Sequence, residues 1–146
     1  MSRSAENGLC WSAFFTRLLL GTFFLMPGWY KVFELTPTEH ARIMLVEGYS
    51  DSWIPTPILW TLGTAIPFLE LIGGLLLIVG YQVRLVLYSL GALLLVVSYG
   101  HLLKEPFFDV TTHIMPRAIL LIVLLAIPRD QDRWSMDILL RRRTTE

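Results

Sequence analysis

Apolar residues in this chain are gathered into long runs with short polar breaks, and neither a period of two nor a soluble amphipathic pattern dominates. Four runs stand out, at about 11–33, 56–80, 84–103 and 113–128, the last being the shortest. Wound as helices at about 1.5 Å per residue, they cover most or all of a hydrocarbon core of ~30 Å. Gly80, Tyr81, Gln82 and Val83 form a tight turn that makes runs two and three an antiparallel hairpin, and 104–112 links runs three and four. The pattern predicts an all-α fold: a polytopic four-transmembrane-helix bundle in a single domain over 1–146. An outer loop at 34–55 and a polar tail at 129–146 complete it, with both termini on one side.

The outer loop predicts a short helix of its own. Thr36, Pro37, Thr38 and Glu39 read as a helix start, with proline in the first turn and an acidic residue to complement the dipole. The apolar stretch 41–46 wants burial, Gly48 ends it, and Trp53 and Trp60 suit an interfacial belt. In the tail, 134–140 reads as a short amphipathic piece, followed by Arg141, Arg142 and Arg143, which suit anionic headgroups or plain anchoring.

Composition agrees with a membrane chain: of 146 residues, 54% are hydrophobic and 16% charged, with mean hydropathy +0.57. Net charge is zero, which gives a nucleic-acid partner no electrostatic support. The single cysteine, Cys10, excludes an internal disulfide and a CxxC redox pair. The residues before it are polar, so no cleavable signal peptide is expected and the first run reads as an uncleaved anchor. Arg3, Arg17, Arg84, Arg129, Arg133 and Arg141–Arg143 outnumber Lys31, Arg42, Lys104 and Arg117 on the other side. That bias puts both termini in the cytoplasm and the protein, as a multi-pass chain, in the plasma (inner) membrane.

Glu70 lies in the middle of the second run. A carboxylate at that depth costs about 2.5–3.5 kcal/mol on insertion scales unless the protein receives it, and the side chain is too short to reach water. The first run carries Arg17, Gly21, Phe24, Gly28 and Lys31 on one helical face, and the second carries Gly63, Pro67, Glu70 and Gly74. Small residues on both stripes let the backbones approach, so the stripes are expected to meet. Either Arg17 or Lys31, about 21 Å apart along the helix, is then a partner for Glu70; the alternative is that each snorkels to its own surface. Paired, Glu70 is ionised; alone in an apolar pocket it is protonated.

A second cluster consists of Tyr99 and His101 at the end of run three, with His113 and Arg117, four apart, at the start of run four, where Pro116 puts the helix start near Thr112. With Lys31 these residues form either a basic pocket for an anion or quinone headgroup, or interfacial decoration. Haem and metal ligation by the two histidines are weak readings, and no metal is expected.

Taken in order, Arg17-x3-Gly21, Gly28-x2-Lys31, Pro67-x2-Glu70-x2-Gly73-Gly74, Gly80-x3-Arg84 and the closing Arg133-Trp134-Ser135-Met136-Asp137 resemble the DoxX family of small four-span membrane proteins, over about Arg17 to Leu140. The resemblance implies a membrane subunit of quinone-linked or other redox chemistry, with quinone as the cofactor it suggests and a redox protein or a second copy of the chain as partner beside the lipid bilayer. It leaves open whether the chain is catalytic or an accessory subunit of a membrane oxidoreductase. By this match Arg17, Lys31, Glu70 and Arg84, with Gly21, Gly28, Pro67, Gly73 and Gly74, are the residues of the family pattern. A non-enzymatic scaffold or assembly partner is the alternative, and a small proton-coupled transporter the third reading.

Overall fold

A computed structural model describes residues 3–105 and 112–143. Six α-helices account for most of them: α1 (Arg3–Trp29), α2 (Pro37–His40), α3 (Thr56–Val79), α4 (Val83–Lys104), α5 (Met115–Ala126) and α6 (Met136–Arg143). α1 runs on as a π-helical turn, Tyr30–Glu34, and α2 as a second one, Ala41–Glu47. No strand occurs among the described residues.

α1 with its extension, α3 and α4 are long and apolar enough to cross a membrane. α5 is shorter: its 12 residues rise about 18 Å, which is less than a hydrocarbon core. Pro116 in its first turn fixes the start, and Ile127 is already extended ahead of Pro128. The regular helix therefore falls inside the expected 113–128, and Thr112–Ile114 is a turn rather than helix. The link at 106–111 lies outside the described residues.

The four large helices pack in a ring, α1 on α3, α3 on α4, α4 on α5 and α5 on α1. Leu20, Phe24, Leu77, Leu87, Leu90, Leu121 and Leu124 fill its centre. The α1–α3 seam is the most extensive, and Gly21, Gly28 and Gly74 of the expected small-residue stripes form it, whereas Gly63 turns to Ala41 of the π-helical segment. A methyl group added at Gly28 would stand 2.4 Å from the Leu71 amide nitrogen, and one at Gly74 would stand 2.4 Å from that of Leu25. Both backbones are in contact there, closer than any side chain allows. Gly21 meets Gly74 and Ile78 on the same seam, whereas Gly73 faces α4 at Leu90.

The first and last described segments meet at one end of the ring, called here the terminal end: Glu6 pairs with Arg133 at 3.5 Å, and Trp11 packs near Trp134. Here the tail locks the hairpin between α3 and α4. Gly80 ends α3 in the left-handed conformation, φ 78°, which glycine adopts without strain. Gln82 follows at φ 49°, and the Asp137 carboxylate accepts from the amides of Gln82 (2.7 Å) and Val83 (2.9 Å). The tail thus supplies the N-terminal cap of α4. Arg84 reaches across to the carbonyls of Leu125 and Ile127, closing the last turn of α5.

At the opposite end, Thr36 caps α2 as expected, accepting from the Glu39 amide, and Gly48 follows the π-helical segment. Ala41 of that segment rests on Gly63 of α3, its Cα only 2.5 Å from where a glycine substituent would stand. Arg42 bridges Glu39 and Glu47 on the exposed face, and the hydrogen bond that Arg42 donates holds the Glu39 carboxyl below its ordinary range.

Candidate functional site

Pro67 is the residue from which the site is built. Lacking an amide hydrogen, it leaves the carbonyl of Gly63, four residues back, without its helical donor. The buried His40 supplies one, its Nδ1 lying 2.7 Å from the Gly63 oxygen. A carbonyl only accepts, so Nδ1 carries the hydrogen and Nε2 is left with its lone pair. Burial pushes the His40 pKa down, partly opposed by this hydrogen bond, with Lys31 lowering it and Glu70 raising it.

One turn after Pro67, Glu70 points into the α1–α3 seam with 3% of its surface exposed. Because α1 and α3 touch at Gly28, the next turn of α1 is within reach. Lys31 lies in the π-helical turn there, where wider winding re-aims side chains. Its Nζ is 2.6 Å from Glu70 Oε2. From α5, Arg117 brings Nη1 to 3.9 Å from Oε1, and its guanidinium stands over the Phe24 ring at 5.3 Å. Arg117 is mostly buried, and its contacts are this loose ion pair and the ring. Among the described residues it makes no direct hydrogen bond. Among the described residues, one buried carboxylate thus faces two cations, one in direct contact and one standing off with no direct hydrogen bond.

Of the expected site residues, Glu70, Lys31 and Arg117 come together. His101, in the last turn of α4, lies within electrostatic range of Lys31, Lys104 and His113. His113 is exposed in the turn before α5 and shares no helical face with Arg117, because that helix begins at Met115 rather than near Thr112. Tyr99 faces outward.

Arg17 is a correction. It does not approach Glu70; it belongs to the terminal end and is almost wholly buried there. Its Nη1 donates to the carbonyls of Leu77 and Ile78, both at 2.7 Å, and Nη2 to that of Trp134 at 3.2 Å. Nε lies 3.0 Å from the Asp132 carboxylate but is poorly aligned for a hydrogen bond, so that contact is ionic. The last carbonyls of α3 outcompete a carboxylate more than a helical turn away. Arg84 likewise binds backbone carbonyls.

The sequence did not single out His40 or Asp132, and it offered Asp137 only as the end of the closing motif, without its capping role. For His40 there was a signal: an intramembrane proline frees a carbonyl that needs a donor. A cavity of about 430 Å³ opens at the terminal end, between the start of α4, the end of α5 and α6, far from Glu70. Among the described residues no cluster of three or more metal-ligating side chains occurs.

His40 gives a pH prediction. With its pKa depressed in the fold, the neutral ring favours folding; that contribution is complete above the ordinary value of 6.5 and is lost as pH falls through the folded value. Thermal midpoints in detergent should therefore drop between about pH 6.5 and 5 for the natural chain relative to His40→Gln, which keeps a donor for Gly63 but does not titrate. Parallel curves would contradict this assignment.

Residues 12–101, more than half of the chain, match the family model described as DoxX. Lys31, His40, Glu70 and Arg84 lie inside the matched segment, and Arg117 and the tail lie beyond it. No solved structure matches the chain.

Proposed function

The chain belongs to the DoxX family of membrane proteins, and from that premise we propose that it is an accessory membrane subunit of quinone-linked redox chemistry, whose Glu70–Lys31–Arg117 cluster receives a quinone headgroup. The observation that carries this reading is Arg117, a mostly buried guanidinium beside a carboxylate already satisfied by Lys31. A quinone carbonyl oxygen is an acceptor of the kind its uncommitted N–H groups need. Arg117 and Lys31 would hold that oxygen, and Glu70 would offset one of their two positive charges. The quinone itself would supply two-electron, two-proton chemistry, with the electrons exchanged with a partner redox protein. The basic bias of the terminal end supports termini in the cytoplasm of a cell whose plasma (inner) membrane holds the chain.

A second reading is favoured by the 2.6 Å contact itself: Lys31–Glu70 fastens α1 to α3, as a scaffold would require. Binding separates the two. In nanodiscs, a short-chain benzoquinone should quench tryptophan fluorescence saturably. Arg117→Gln should weaken that binding by about tenfold or more, the worth of one hydrogen bond from a charged donor, without moving the thermal midpoint. Absence of saturable binding, with no quinone or redox protein co-purifying from native membranes, would leave the scaffold.

A further inference from the structure

The binding proposed for the Glu70 cluster leaves one buried titratable neighbour unused, the imidazole of His40. We infer that His40 is a positioning residue of that site: on taking up a proton it competes with Lys31 for Glu70, and the lysine is freed to donate to the ligand. The identity of the ligand rests on the quinone reading; the coupling of His40 to the ion pair does not.

Gly63, Pro67 and Glu70 follow one another at spacings of four and three, on one face of α3. Helical carbonyls point toward the C-terminus, so the Gly63 oxygen is aimed at Pro67. The ring that donates to this oxygen therefore stands about one turn outward of Glu70. The bond occupies Nδ1 and fixes the imidazole against α3, and among the described residues Nε2 accepts no hydrogen bond. A proton added to the ring goes to Nε2 without breaking the bond to Gly63.

Charge decides what that proton does. The segments packed on α2 are α3 and the two π-helical turns. α3 contributes Glu70, and the first turn contributes Lys31, with Tyr30 and Glu34 exposed. In the second turn Arg42 and Glu47 are exposed, and Arg42 binds both Glu47 and Glu39. The ionic pair that the buried ring feels is thus Lys31–Glu70. Burial is the main cause that keeps the ring neutral, opposed by the Gly63 bond; beyond these, Lys31 lowers the His40 pKa and Glu70 raises it. An imidazolium is accordingly drawn to Glu70 and repels Lys31, whose ammonium is a quarter exposed on a flexible stem. Released from the carboxylate, that ammonium turns its donors to an oxygen held by Arg117. By linkage, an acceptor ligand should bind more tightly as pH falls, and its binding should raise the His40 pKa.

The test follows the His40 ring by NMR in the full chain, with labelled histidine in detergent. Its signal is the one of three that His40→Gln removes. Glu70→Gln should lower the His40 midpoint by about one pH unit and Lys31→Met should raise it by as much. That is the scale for one charge about 10 Å away at an effective dielectric constant of ~20. The double variant should titrate near the natural value, because the two effects cancel. The step from Glu70→Gln to the double variant reports on Lys31 even where Lys31→Met alone does not fold. A short-chain benzoquinone, titrated by tryptophan fluorescence, should bind about fivefold more tightly at pH 5 than at pH 7, and His40→Gln should abolish the difference. A His40 midpoint that none of these substitutions moves would overturn the inference, whether or not quinone binds. So would saturable binding whose pH dependence survives in His40→Gln. Midpoints that move as stated, with no benzoquinone bound at any pH, would uphold the coupling and remove the quinone reading alone.

Discussion

Arg17→Met is expected to release the tail from the bundle and to cost about 3–5 kcal/mol, the usual consequence of removing one partner from a buried charge pair. The size follows from how many groups lose a partner together. The carbonyls of Leu77, Ile78 and Trp134 lose a charged donor, and Asp132 is left buried without its cation. The same arginine packs against Gly80, whose left-handed turn positions the hairpin. Loss should therefore show as a lower denaturation midpoint and as new protease cleavage between Arg129 and Arg143. Arg17→Lys should fall between, because an ammonium keeps the charge but cannot present a planar fork to several acceptors at once. Arg17→Met with Asp132→Leu should recover most of the loss, since an apolar pair of similar volume replaces a buried ionic one.

The Arg17→Met defect should also depend on pH in a stated direction. Burial raises the Asp132 pKa above 3.8, and Arg17 opposes that rise. A carboxyl with a raised folded pKa favours the fold when protonated; that contribution is present below 3.8 and is lost as pH rises through the folded value. Removing Arg17 lifts the opposition, so the variant should regain stability as pH falls from neutrality toward about 4. A defect of constant size across that window would show that Asp132 is not the group left stranded.

Much of the architecture was legible in the residues because bilayer physics leaves few options. Runs of apolar residues long enough to cross must be helices, since no other open segment satisfies its own backbone in lipid. Gly21 and Gly28 with Gly74 forecast the α1–α3 seam, because small residues are what brings two backbones together without a hydrophobic drive, while Gly63 receives Ala41 of the outer segment instead. Glu70 announced itself by its cost. What stayed hidden was long-range pairing at the terminal end. Nothing local to Arg17 says that its acceptors are carbonyls sixty residues away, or that the tail folds back to place Asp132 beside it. Periodicity identifies a face but not its depth, and Arg17 and Glu70 share a seam at different depths. The length of α5 was misread for another reason: hydropathy continues through Ile127 and Pro128, while the backbone has already left the helix.

Lys31→Met should rank beside Arg17→Met in cost and so isolate the structural share of the candidate site. It removes the partner in direct contact with Glu70 and leaves only Arg117, 3.9 Å away, so the expected loss is again about 3–5 kcal/mol at neutral pH. Glu70→Gln alone strands Lys31 and Arg117 instead, yet Lys31 is a quarter exposed and its flexible stem can carry the ammonium toward water. Its loss should be the smaller of the two, and that asymmetry is the measurement: a double-mutant cycle in denaturant, with Lys31→Met and Glu70→Gln combined, should return most of the single-variant loss. Arg117→Gln should stay within about 1 kcal/mol of the natural chain, because among the described residues Arg117 makes a loose ion pair and a ring contact. A cluster serving only to hold the bundle would reverse that expectation, with Arg117→Gln as costly as Lys31→Met, since each cation would then be a strut. If instead stability rests on Lys31 while ligand affinity rests on Arg117, the two cations around one carboxylate divide the work, one fixing Glu70 in place and the other left open to an incoming oxygen.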